Sequence, residues 1–263
     1  MRRLIHSEFT RLWSQRWLWL VVLAAPFLAY LQGSYFLWVS SLGSDISSVL
    51  FLFQGLREML FLPCNIAVAA LAAAVYTEPF RSGQLRLLFL RRFSRGQIFF
   101  SKLFVIQASI LILLIVLGIS LAAVGMLRFP QEEADRFWPL IGYAFVYYLL
   151  AYATLAGISC LFSFIAMYSR NVTFALGVCM TYILVSLLFD GLYLRIASLF
   201  AAWPYVRDLL AYAWIPYMQH TGLNEALSGN ASVIWAIATI LLLHAVVCSG
   251  IAYRRFVAED YMQ

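Results

Sequence analysis

The chain has 263 residues, 64% of them hydrophobic and only 11% charged, with a formal net charge of +6. A water-soluble domain carries about 25% charged and about 45–50% apolar residues, so this composition cannot clothe even one soluble domain of such length. It disfavours a soluble enzyme, a disordered protein and a nucleic-acid-binding domain, and it describes an integral membrane protein.

Residues 1–16 are amphipathic. Ile5, Phe9, Leu12, Trp13 and Arg16 follow helical spacing, with Arg2, Arg3, Thr10, Arg11 and Ser14 elsewhere on the wheel. That pattern predicts a helix lying in the membrane interface, aromatics toward the acyl boundary and arginines toward anionic headgroups. Six apolar runs then reach the roughly 17–25 residues a spanning helix needs: Trp17–Val39, Met59–Tyr76, Leu103–Leu127, Leu140–Met167, Val172–Phe189 and Ala231–Tyr253. None contains Asp, Glu, Lys or Arg. Helices are the expected spanning form, since lipid offers backbone groups no outside partner, and the runs lack the alternation of a membrane β-barrel. The first run is too long for a signal h-region and is read as a retained span.

Orientation follows from the basic residues, of which all but Lys102 are arginine. With the N-terminus in the cytoplasm, only Arg57, Arg128, Arg136, Arg195 and Arg207 fall on the outer side, as the positive-inside rule asks. Six spans then return the C-terminus to the cytoplasm. Cys64, Cys160, Cys179 and Cys248 lie inside apolar runs, without metal-ligand spacing or the loop context of a disulfide framework, and read as buried structural thiols.

The segment Glu78–Lys102, EPFRSGQLRLLFLRRFSRGQIFFSK, holds six basic residues against one acidic. Leu85, Leu88 and Phe89 form a ridge at helical spacing, Arg86 and Arg92 flank it, and Gly83 and Gly96 bracket it as breaks. This reads as a short docking helix for a cytoplasmic partner, beyond what topology alone requires. The string Glu78-x-x-Arg81-x-Gly83-x-Leu85-x-x-Leu88, followed by Ser94-Arg95 and Lys102, resembles the first cytoplasmic loop of ABC transporter permeases of the ABC-2 class. The length, the amphipathic N-terminus and the closing pair Arg254-Arg255 are similar to small six-span members. Members commonly carry Thr after the glycine and Pro before the Ser-Arg pair, where this chain has Gln84 and Arg92-Phe93. The resemblance implies an ATPase-coupling site at Glu78, Arg81, Gly83, Leu85, Arg86, Leu88, Phe89 and Arg92, with Arg81–Arg92 as the coupling helix. No Walker A string occurs in the sequence, so ATP is expected to be hydrolysed by a separate subunit, with no cofactor bound directly here.

Residues 190–230 are too long for a simple turn. Trp203-Pro204-Tyr205 and Trp214-Ile215-Pro216-Tyr217 set aromatics beside proline breaks, which suits short helices in the outer leaflet. Asp190, Arg195, Arg207, Asp208 and Glu225 either pair among themselves or meet a substrate. His244 is expected to hydrogen-bond to a neighbouring helix, and Pro26 and Pro63-Cys64-Asn65 to mark kinks.

The expected fold is all-α: one polytopic domain over residues 1–263, with six transmembrane helices, an N-terminal interfacial helix, a cytoplasmic coupling helix and short outer-leaflet helices before the last span. The expected function is the permease subunit of an ATP-driven exporter in a bacterial inner membrane. Its partners would be two cytoplasmic ATPases, a second permease half (identical or homologous) and membrane lipid, but no nucleic acid. By resemblance its cargo would be apolar or amphipathic, such as a peptide antibiotic or a lipid-like compound. The alternatives are a membrane sensor or assembly factor, and a secondary transporter, which the absence of charge from the runs disfavours. Scattered His6, His220 and His244 give no metallohydrolase motif.

Overall fold

The computed structural model describes residues 2–40, 46–81, 93–131, 134–169 and 171–258. Among these the chain is helical throughout, with no strand. We number the helices α1 (Arg2–Trp13), α2 (Arg16–Ser40), α3 (Ser48–Thr77), α4 (Arg95–Arg128), α5 (Ala134–Tyr168), α6 (Val172–Leu188), α7 (Asp190–Ser198), α8 (Pro204–Ala211), α9 (215–227) and α10 (Ala231–Ala258). Five of them, α2, α3, α4, α5 and α10, are long and apolar enough to cross a bilayer. A sixth crossing arises only when α6, at 17 residues, is joined to α7 across a 59° bend.

The largest difference from the sequence reading is where α3 begins. The expected run opened at Met59, because Arg57 and Glu58 interrupt the hydrophobicity. The helix instead starts eleven residues earlier, at Ser48, with the Ser47 hydroxyl accepting from the Leu50 amide at 3.3 Å. Val49, Phe51, Gly55 and Leu56 are buried in the added turns, which places Arg57 within the span rather than in a loop. Further along, α3 widens into π turns at Leu60–Cys64, around Pro63, and at Ala73–Thr77. Proline removes an amide donor and crowds the preceding turn, and a π turn accommodates that without ending the helix.

Lipid provides no hydrophobic drive between helices, so close packing and polar contacts do that work. α4 is the central post, packed by α1, α2, α3 and α5. Where it crosses α3, a Cβ added to Gly125 would stand 2.8 Å from the Ser48 carbonyl oxygen, while the Ser48 amide donates to the Pro130 carbonyl at 3.0 Å. On the other flank Arg128 donates to the Ser34 hydroxyl at 2.7 Å and lies over the Tyr30 ring. The α9–α10 connection turns at Gly229, whose φ of 88° favours glycine.

The segment after α6 is fastened by polar contacts. Gln219 of α9 accepts from the Asn65 side-chain amide at 2.8 Å and donates to the Thr154 hydroxyl at 3.1 Å, all three residues being fully buried. Arg207 pairs with its neighbour Asp208 at 2.8 Å, and Asp208 also accepts from Ser232. Two of the charges that had been open between mutual pairing and substrate thus pair with each other. His244 corrects an expectation: its Nδ1 bonds the Ile240 carbonyl of its own helix at 2.8 Å. The ring therefore completes the helical ladder entering the π turn His244–Cys248 instead of reaching a neighbouring helix.

Replacing Gly125 by valine drives a branched side chain into a backbone carbonyl that cannot rotate away. We expect a loss of about 1–3 kcal/mol, read as a lower melting temperature in detergent. Gly142→Ala, at a site with nothing within 4 Å, is expected to leave the melt unchanged or slightly raised.

Candidate coupling site

The loop singled out by sequence leaves the bundle from the end of α3 and returns at the start of α4. The π turn Ala73–Thr77 runs on into the helical turn Glu78–Arg81. The chain re-enters at Ser94, which caps α4 reciprocally with Gln97: the Ser94 hydroxyl accepts from the Gln97 amide, and the Gln97 side chain accepts from the Ser94 amide. Of the expected coupling residues, Glu78 and the backbone of Arg81 belong to the described structure. Gly83, Leu85, Arg86, Leu88, Phe89 and Arg92 lie outside the described residues.

The base of the loop is built on an ion pair. Lys102 on α4 is 1% exposed and Glu8 on α1 is 3% exposed, and they meet at 3.0 Å. Arg11, one turn along α1, joins the same carboxylate oxygen at 2.9 Å. Lys102 also donates to the Val75 carbonyl at 3.1 Å, a group in the π turn of α3. One ammonium therefore ties together three helices. Burial by itself would raise the Glu8 carboxyl, but Lys102 and Arg11 outweigh it and hold that carboxyl below its ordinary range.

Around this pair the helix ends interlock. Gln15, in the corner between α1 and α2, donates to Glu78 at 2.8 Å and accepts from the Trp17 indole at 2.8 Å. Thr77 donates to the Ala166 carbonyl of α5 at 2.8 Å. Phe99 is the centre of an aromatic cluster with Tyr76, Phe100, Tyr253 and Phe256. The Arg95 guanidinium donates to the Val257 carbonyl near the end of α10, and Arg255 stacks on the Tyr168 ring at 3.8 Å. Both feet of the loop are thus held by α1, α5 and α10.

Helical spacing predicts Ile5, Phe9, Leu12 and Trp13 as the apolar stripe of α1, and Lys102 enters only as one of the basic residues of the cytoplasmic side and the end of the family-like string. In the structure the buried face is Leu4, Glu8 and Leu12, with Ile5, Phe9 and Trp13 packed beside it. Signals for the pair were present: Glu8 is the one acid in a basic segment and Lys102 the one lysine of the chain. Spacing cannot reveal a contact across 94 residues.

Glu8→Gln leaves a buried ammonium without a counter-charge, which costs about 3–5 kcal/mol; the expected outcome is a lower melting temperature and faster proteolysis of α1. Glu8→Leu combined with Lys102→Leu removes both charges and is expected to recover most of that loss. A carboxyl whose folded pKa lies below its unfolded value of about 4.3 stabilises the fold fully above that value, and the contribution disappears as pH falls through the folded pKa. Acidification below about pH 4 is therefore expected to release α1, read from the emission of Trp13 and Trp17.

No curated protein matches the chain. The profile of one family, described as ABC-2 family transporter protein, matches residues 4–186. That stretch begins in α1, carries both feet of the loop and the Glu8–Lys102 pair, and ends within α6. Matching well over half of the sequence, and consistent with a bundle of apolar helices, it shows that this chain is a membrane permease belonging to the ABC-2 transporter family.

Proposed function

We propose that the chain is the transmembrane half of an ATP-driven exporter. Residues 82–92, with the flanking turn at Glu78–Arg81, would be the segment that receives the push of a cytoplasmic ATPase. The observation that carries this reading is the bracing of the loop's two feet. A loop that only connects two spans has no need of a buried ion pair, a capping box and an aromatic cluster at its base, whereas a loop that transmits force does. Coupling needs a two-state element whose equilibrium a second site biases, and rigid anchorage lets a displacement of the loop reach α1, α3, α4 and α10 together.

In this reading both termini and the loop face the cytoplasm. α6 and α7 together make the sixth crossing, and α1 lies in the inner interface. Two such chains, or this chain and a homologous half, enclose the pathway at their interface, with two ATPases beneath. The spans offer surfaces of Phe, Tyr, Trp and Met, which suit an apolar or amphipathic cargo, a peptide antibiotic or lipid-like compound leaving a bacterial inner membrane.

The test is co-purification with a candidate ABC ATPase co-expressed with this chain, followed by ATP hydrolysis in lipid. Reversing charge at Arg86 and Arg92 together is expected to abolish coupled hydrolysis, and to weaken the complex about tenfold or more, with membrane insertion intact. Unaltered assembly and hydrolysis in that double variant would remove the loop from the coupling path.

A further inference from the structure

We propose that the junction of α3, α5 and α9 is a binding site for the anionic group, phosphate or carboxylate, of an amphiphile, with Arg57 and Tyr147 as its donors. The site stands on its own residues; that its occupant is cargo rests on the exporter reading.

Arg57 lies nine residues into α3, about 14 Å along the axis, in a helix long and apolar enough to cross a bilayer. The residue is half-buried, its Nε is buried without a hydrogen-bond partner, and it makes none of the ion pairs found among the described residues. Glu58, the adjacent acid, is exposed and leaves it unpaired. A guanidinium cannot neutralise itself by losing a proton, and a cation on a membrane-spanning helix calls for a ligand or a counter-ion.

Tyr147 of α5 meets α3 at Phe53, one helical turn before Arg57 on the same face. It is fully buried, yet its hydroxyl also lacks a partner. Phe53 packs edge-on against both Tyr147, at 4.6 Å between ring centroids, and Tyr143, at 5.2 Å, so the ring is fixed in place. The third wall is α9. His220 meets Phe61, one turn from Arg57, at 5.5 Å, and residues 223–227 pack on α5. In that stretch the Asn224 Oδ1 is a further buried atom with no partner.

Two donor groups without an internal partner, the Arg57 Nε and the Tyr147 hydroxyl, one of them on a permanently charged side chain, select an anion. Because α3 and α5 are both long and apolar enough to cross a bilayer, the headgroup of an amphiphile can meet these donors while its apolar part lies along the helices.

The chain is purified alone in a neutral maltoside detergent, and its melting is followed with a thiol-reactive dye at Cys160 and Cys179, which are buried, whereas Cys64 and Cys248 are partly exposed. Dodecyl phosphate is expected to raise the midpoint saturably, and dodecanol and inorganic phosphate to leave it unmoved. Arg57→Gln is expected to weaken the dodecyl phosphate effect about tenfold or more, and Arg195→Gln to leave it unaltered. Tyr147→Phe removes a hydroxyl with no internal partner, so the fold persists while binding weakens several-fold. No protection of the wild type, or equal protection of wild type, Arg57→Gln and Tyr147→Phe, overturns the site. Native mass spectrometry from bilayers containing phosphatidylglycerol separates the sources. Lipid retained by the wild type and lost in Arg57→Gln identifies a bilayer occupant; a lipid-free wild type still protected by dodecyl phosphate identifies a carried amphiphile. Because binding is measured without an ATPase, failure here with hydrolysis intact removes the site alone, and the converse removes only the exporter reading.

Discussion

An ammonium and a carboxylate sealed from water at the end of a helical bundle set the terms for everything near them. Two such charges are costly to bury, and they are tolerated only when geometry and further hydrogen bonds satisfy them. Here the carboxylate of Glu8 has Lys102 and Arg11, and the ammonium of Lys102 has Glu8 and the Val75 carbonyl. Arg11 comes from α1 itself, but the bonds of the ammonium reach α1 and α3 from α4, so the pair is satisfied only while those three helices keep one arrangement. α1 is therefore part of the bundle, docked through a polar bond with directional requirements.

Elsewhere the chain solves the opposite problem, which is to pack helices whose surfaces are as apolar as their solvent. Exposed Leu20, Leu23, Phe27, Phe104, Leu111 and Ile119 give α2 and α4 faces suited to acyl chains. Where helices must touch, small residues let backbones approach, as Gly125 does at Ser48 and Gly55 at Leu121. α3 combines these traits with two π turns. Each turn sits beside a polar contact between elements: Asn65 to Gln219 after the first, Lys102 to Val75 within the second. A π turn frees backbone groups and redirects side chains, which is how one helix offers partners to neighbours on several sides.

Much of this was legible from residue order. Uninterrupted apolar runs located α2, α4, α5 and α10, because a helix in lipid must be apolar over its whole length. Clustered arginines and the string from Glu78 to Leu88 identified the family, and the profile match agrees. The start of α3 was not legible: Arg57 and Glu58 look like a loop to any hydrophobicity argument, and only the packing of Phe51, Gly55 and Leu56 against α4 carries the helix through them. The end of α6 was legible, since the apolar run Val172–Phe189 stops at Asp190-Gly191, but the 59° bend into α7 was not, because hydrophobicity carries no information on backbone direction. The Glu8–Lys102 contact was invisible because charges near a membrane edge satisfy the positive-inside pattern equally well whether solvated or paired.

The chain of amides through Asn65, Gln219 and Thr154 joins two parts of the sequence with different kinship. Asn65 and Thr154 fall inside the stretch that matches the family, and Gln219 falls beyond its end at residue 186. The last quarter of the protein is thus not a detachable appendix on a shared scaffold. A relative whose third helix carries an apolar residue in place of Asn65 would leave the Gln219 carbonyl oxygen stranded, and its own closing segment would need a different fastening. Divergence in this region is therefore constrained to move in matched sets, with an internal helix changing whenever the segment beyond it does.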